Sequence, residues 1–198
     1  MSFWDDRYRS ETYAYGVEPN DFLRSEAARI PPGRVLCLAE GEGRNAVFLA
    51  SLGYAVTAVD LSTEGLRKAE RLAQERGVTL DLVQADLADY ELEANAFSGI
   101  VSIFAHLPAP VRRRLYARIP QALVRGGVLV LESYRPEQLA FATGGPRAAA
   151  LLPTLAELTA ELDGLDLVVA RDDERDIHEG TFHDGRSATV QIIGVKRA

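Results

Sequence analysis

Apolar runs rich in β-branched residues alternate with helical patterns between residues 34 and 133. Val35–Ala39 (VLCLA) is a short unbroken apolar run, the pattern of a strand covered on both faces. Glycines at 41 and 43 follow, Asn45–Ser51 reads as helix, and Gly53 breaks it. Ala55–Asp60 (AVTAVD) is a second buried strand. Ser62 is placed to cap a helix whose apolar stripe is Leu66, Ala69, Leu72 and Ala73. Arg67, Lys68, Glu70, Arg71, Gln74 and Glu75 fall outside that stripe. Gly77 stands where such a helix stops. Thr79–Gln84, Gly99–Phe104 and Val128–Ser133 read as three more strands. A helix over about Val111–Val124, ending at Gly126-Gly127, joins the last two. Strands separated by helices imply βαβ units and a parallel sheet with right-handed crossovers.

The last third changes rhythm. Leu155, Leu158 and Leu162 mark a helix, and Leu165–Arg171 a strand. Asp184-Gly185 is a turn signal before Ala188–Val195 (ATVQIIGV). Two strands joined by a turn pair antiparallel, so a mostly parallel sheet gains an antiparallel strand at or near one edge. No repeat, low-complexity stretch or linker interrupts the chain. The expected organisation is one domain over 1–198. Residues 1–30 form an N-terminal lid and helix, 34–133 a ligand-binding core, and 134–198 a substrate-side segment with the antiparallel strands.

In such a sheet the ligand lies outside the carboxyl ends of the strands, where strand order reverses. The first turn there is Ala39-Glu40-Gly41-Glu42-Gly43-Arg44-Asn45-Ala46. Gly41 and Gly43 permit a tight turn and close approach of a ligand to the main chain. Asp60 ends the second strand, where a carboxylate can accept from both ribose hydroxyls. Asp86, in QADL, can accept from an adenine amino group, with Leu87 flanking the ring. Three such features on one sheet edge point to an adenosine-containing ligand.

Composition narrows the choice. The 198 residues are 47% apolar and 26% charged, an ordinary globular balance. No membrane-length apolar run or secretory leader is evident, and Cys37 has no partner for a disulfide, which fits a reducing cytoplasm. Three scattered histidines and one cysteine leave little for a metal site, so none is expected. Net charge is −7, which opposes a nucleic-acid partner. Only Lys68 and Lys196 are lysines; neither follows a glycine, which excludes a GxxxxGK loop. The residues four before them, Glu64 and Ile192, exclude a Tyr-x-x-x-Lys reductase pair. Gly41-x-Gly43-x-x-Ala46 with Asp60 also satisfies the NAD fingerprint. Acidic residues at 40 and 42 oppose a pyrophosphate but tolerate an ammonium, which favours S-adenosylmethionine.

At this point the chain resembles a known family. WDDRY (Trp4–Tyr8), YGVEPN (Tyr15–Asn20), Val35–Ser62, QADL, GIVSIFAHLP (Gly99–Pro108), LVRGGVLVLE (Leu123–Glu132) and Asp172–Gly185 are similar to small class I S-adenosylmethionine-dependent methyltransferases. The group in question includes the tellurite-resistance and thiopurine methyltransferases. The resemblance implies a Rossmann-like, seven-stranded fold with strand seven antiparallel and helices on both faces. It implies cofactor contacts from Tyr15, Ala39, Glu40, Gly41, Gly43, Asn45, Asp60, Leu61, Asp86, Leu87 and Phe104. The chain departs from the family at Cys37, where an acid is usual, at Ala39, where the first glycine stands, and at Ser98. Glu40 is expected to stand in for the missing strand acid.

Methyl transfer from a sulfonium needs alignment and exclusion of water, so a soft nucleophile such as a thiol or chalcogen oxyanion needs little more. A harder nucleophile needs a base, for which His106 is the candidate. His178 and His183 flank an acidic turn, where they read as exposed loop residues or, less commonly, as part of a substrate lid. Six of the 15 aromatic residues fall within the first 22, the density of a lid, with Tyr15 expected to reach the cofactor. Residues 134–150 are expected to close the pocket, with Tyr134 and Phe141 as its wall and Gly144-Gly145 as a hinge. Arg112, Arg113, Arg114 and Arg118 read as the solvated face of a helix. The expected activity is methylation of a small molecule by a monomer or homodimer. The alternatives are a non-catalytic S-adenosylmethionine-binding module and an NAD-binding protein.

Overall fold

Seven strands form one sheet in the order β3-β2-β1-β4-β5-β7-β6 in a computed structural model that describes residues 3–197. The strands are β1 (Arg34–Leu38), β2 (Ala55–Asp60), β3 (Asp81–Gln84), β4 (Phe97–Ile103), β5 (Leu123–Tyr134), β6 (Leu165–His178) and β7 (Asp184–Lys196). Pairs from β3 to β5 are parallel, and β7 runs antiparallel to both β5 and β6. The helices are α1 (Phe3–Tyr8), α2 (Asp21–Glu26), α3 (Arg44–Ser51), α4 (Thr63–Glu75), α5 (Ala109–Tyr116), α6 (Ile119–Ala122) and α7 (Leu155–Glu161).

Period-two alternation within the central strands divides the core in two. Leu36, Leu38, Ile100, Leu129 and Leu131 pack against Leu115 of α5, Ile119 of α6, Leu158 of α7 and Leu162 just beyond it. Val35, Cys37, Val101 and Val130 pack on the other face against Phe22, Leu23, Ala46 and Leu49 of α2 and α3. β1 therefore feeds α3 on one face while its neighbour β4 feeds α5 on the other. A cleft opens between their carboxyl ends, the reversal point where ligands of such sheets sit. No helix among the described residues is long and apolar enough to cross a membrane.

Several boundaries depart from the pattern-based expectation. The helix over 111–124 is two helices, because Pro120 lacks an N–H and cannot continue α5. Leu123 already pairs with Phe97, and Gly126-Gly127 lie inside β5 within an irregularity between the Phe97 and Gly99 pairings. β3 begins at Asp81 rather than Thr79. Asp184-Gly185 open β7, paired with Ile177 and His178, so the hairpin turn is residues 179–183 instead. Two side chains assigned to solvent are buried. Lys68 is 1% exposed beneath the N-terminal arm, and Arg112 meets Glu161 through two hydrogen bonds of 2.8 Å.

Candidate functional site

The turn after β1 is held by carboxylates. Ala39 has a left-handed backbone (φ 50°), unusual for a residue with a Cβ and a mark of a site held in place by its surroundings. Glu40 is buried, and its Oε1 accepts from the N–H groups of Asn45 (2.9 Å) and Ala46 (2.8 Å) at the start of α3. Burial pushes its carboxyl up to about 7, against those bonds and the Arg44 charge, which favour ionisation. Asp60 accepts from Gly41 N–H and Ser62 N–H, both at 2.8 Å, and joins the turn to the start of α4. Burial raises its pKa as well.

Both glycines take the left-handed backbone that the tight turn requires, and their missing side chains serve packing. A Cβ on Gly41 (φ 62°) would lie 2.6 Å from the Tyr8 hydroxyl, and one on Gly43 (φ 91°) 2.5 Å from Ala69. Their missing side chains make room for the arm and for α4, and neither glycine lines the cavity beside them.

The N-terminal arm is strapped across this turn. Ser62 Oγ donates to Asp5 (2.7 Å), and Lys68 Nζ donates to the carbonyls of Ser10 (2.9 Å) and Thr12 (2.8 Å). Lys68 also pairs with Glu42, whose other oxygen accepts from Ala14 N–H at 2.8 Å. Thr181 N–H then donates to Ala14 O (3.0 Å), bringing the β6–β7 turn onto the arm.

Between arm, turn and strand ends lies a cavity of about 950 Å³, its open mouth included. Of the residues expected to bind the cofactor, Tyr15, Ala39, Glu40, Asn45, Asp60, Leu61, Asp86, Leu87 and Phe104 line it, as does His106. Asp86 lies two residues beyond β3, with an exposed side chain that accepts from Ala88 N–H at 2.8 Å. Trp4, Tyr8, Glu42, Arg44 and His183 also line the cavity, beyond the cofactor contacts expected from the sequence. His183 is 5% exposed, whereas His178 is exposed and hydrogen-bonds Asp184. The signal for His183 was the turn itself: only the docking of residues 179–183 onto the arm buries it.

No residue of 134–150 lines the cavity. Tyr134 is buried behind Phe104, with ring centroids 4.5 Å apart, and the Gly144-Gly145 backbone packs on Tyr134.

A buried polar network underlies the site. Glu132, at 0% exposure, accepts from Arg175 (3.1 and 2.8 Å), Gln191 (2.8 Å) and Asn20 (2.6 Å). Asn20 also donates to Glu179, which accepts from Arg44 at 2.6 Å. Asn45 Oδ1 accepts from the Asn20 N–H at 2.9 Å. The arm, α3, β5 and the β6–β7 hairpin therefore meet through one set of satisfied charges.

Comparison with known proteins agrees with this geometry. Residues 35–127 match the family described as a methyltransferase domain. Over 115 residues, 56% of this chain, it is 30% identical to the uncharacterised methyltransferase YbaJ of Bacillus subtilis. The matches to that protein and to an uncharacterised protein of Mycobacterium tuberculosis span 44% and 38% of those relatives' lengths. TehB from Haemophilus influenzae superposes with a TM-score of 0.73 at 16% identity, over 98% of this chain and 66% of that one. A structure from work on converting a disulfide bond into a thioacetal in echinomycin biosynthesis superposes at 0.79. Its identity is 21%, with 98% and 90% of the two chains covered. Residues 35–127 thus resemble a methyltransferase domain, and the chain shares the Rossmann-like fold of these solved structures.

Proposed function

We propose that this chain transfers a methyl group from S-adenosylmethionine to a small molecule, a soft nucleophile such as a thiol being the favoured acceptor. The observation that carries the reading is Glu40. Its Oε1 occupies the first amides of α3, the donors on which a dinucleotide pyrophosphate would rest. The same buried carboxylate lines the cavity, where it can pair with the ammonium of an amino-acid tail. This arrangement opposes NAD and suits S-adenosylmethionine.

The remaining residues fit the other parts of that molecule. Asp60, already oriented by two N–H groups, retains lone pairs for ribose hydroxyls. Leu61 and Leu87 offer apolar surface for adenine, and Asp86 an acceptor for its amino group. When bound, the group supplies an electrophilic methyl on a sulfonium. The chain's part is to align the acceptor with it and to exclude water, for which Trp4, Tyr8 and Tyr15 of the strapped arm form the cover. The net charge of −7 supports a small molecule over a nucleic acid.

Isothermal titration calorimetry tests the reading. S-adenosylmethionine and S-adenosylhomocysteine are expected to bind at micromolar strength and NAD far more weakly. NAD binding without S-adenosylmethionine binding overturns it. Transfer of labelled methyl into a metabolite extract separates the enzyme from a non-catalytic binding module.

A further inference from the structure

The cavity has two chemically different ends. Glu40, Asp60 and Asp86 follow β1, β2 and β3, whereas Phe104 and His106 follow β4, and His183 comes from the β6–β7 turn. Phe104 holds a left-handed backbone (φ 53°), its N–H donating to Glu132 O at 2.8 Å. Its ring meets His183 edge-on with centroids 4.7 Å apart and faces His106 at 6.3 Å. Tyr15 closes on the other side of His183, at 4.5 Å.

The imidazole of His183 is more than nine-tenths buried, and its Nδ1 has no hydrogen-bond partner. Neither ring nitrogen of His106 makes a well-formed hydrogen bond either, although the Leu151 backbone lies near enough to raise its pKa slightly. A buried polar atom left unsatisfied is costly, and His183 Nδ1 is such an atom. Burial pulls His106 down to about 4 and His183 well below its ordinary value. The positive charges of Arg44 of α3, Arg7 of α1 and Arg175 of β6 act on His183 in the same direction. Arg44 is the one cation lining the cavity among the described residues, and it is committed to Glu179.

We propose that His183 accepts the proton of an uncharged methyl acceptor, whose S–H or O–H group lies against Phe104 between the two imidazoles. The proposal rests on the methyltransferase reading above. A lone pair of the acceptor sulfur or oxygen forms the bond to the methyl carbon. The carbon–sulfonium bond breaks with its electron pair remaining on sulfur, which becomes a neutral thioether. The acceptor proton passes to His183 Nδ1. One positive charge is present before and after; it has moved from sulfonium to imidazolium. Until transfer, that charge and Arg44 keep His183 unprotonated and able to accept. Its loss makes His183 more basic as the proton needs a destination. A chalcogen oxyanion, by contrast, carries a negative charge and finds no unpaired cation among the described residues lining the cavity.

The full chain saturated with S-adenosylhomocysteine, labelled with 15N in its imidazoles, is titrated with phenol, benzyl mercaptan and potassium selenite, each followed by NMR. The uncharged probes are expected to shift the His183 signals and selenite to leave them in place. His183→Phe keeps the ring packing, so its affinity for S-adenosylhomocysteine should stay within about twofold while the probe shifts vanish. Methyl transfer to whichever probe is turned over should fall roughly 100-fold in that variant, with partial rescue by added imidazole. Selenite shifting His183, silence of His183 towards both uncharged probes, or undiminished transfer by His183→Phe overturns the proposal. If the wild type does not bind S-adenosylmethionine, the methyltransferase reading itself fails.

Discussion

Replacing Glu132 by Gln tests whether the buried charge network holds the site together. The substitution keeps the shape of the side chain but puts an N–H₂ group among donors. Four hydrogen bonds converge on this carboxylate, from Asn20, Gln191 and two nitrogens of Arg175. At least one of them becomes a donor–donor contact, and Arg175 loses its main counter-charge. Breaking one partner of a buried pair costs about 3–5 kcal/mol. Arg175 is 18% exposed at its side chain and keeps Glu179 at 3.4 Å and Asp21 at 3.8 Å, which places the cost near the lower end. About 3 kcal/mol is a large share of the ~5–15 kcal/mol by which domains are stable. With a urea slope of about 2.5 kcal/mol/M, the midpoint should fall by roughly 1.2 M at unchanged slope. Adding Arg175→Met should restore part of the loss, because it removes the uncompensated cation. A drop of less than about 1 kcal/mol, or strict additivity in the double variant, would refute a coupled network.

The raised carboxyl of Glu40 predicts a pH dependence with a definite sign. A buried acid that holds its proton better when folded contributes stability below its ordinary value of 4.5 and loses it as pH rises through about 7. Glu40→Gln should flatten that slope in urea titrations between these limits. Donor binding runs the other way, since only the ionised carboxylate pairs with an ammonium. Affinity should rise roughly eightfold between about pH 6 and pH 7.5 and become nearly flat in Glu40→Gln, as read by calorimetry. Deleting residues 1–19 should abolish turnover while circular dichroism still reports the sheet, because no strand lies there and the arm supplies Trp4, Tyr8 and Tyr15. Retained turnover would show that the arm is not the cover.

Local regularities carried most of the fold. Unbroken apolar runs placed β1 and β2 because strands buried on both faces leave no polar alternation. Ser62 and Gly77 bounded α4, since a helix end needs a side-chain acceptor at one terminus and a left-handed residue at the other. Asp60 and Glu40 were legible as site residues because the ends of adjacent parallel strands share one edge. Their occupation by main-chain N–H groups was not, because those donors come from turns whose geometry the sequence leaves open.

Only the tertiary structure decided which charges are buried. Lys68 sits on a helix face that periodicity gives to solvent, until the arm folds over it and supplies two carbonyls and Glu42. Arg112 looks like part of a basic surface, until α7 brings Glu161 to it. His183 reads as a turn residue and becomes part of the cavity wall once residues 179–183 dock on Ala14. In each case the partner is distant in sequence, and desolvation together with pairing depends on where that partner lies. Period and propensity report only the residue's own stretch of chain.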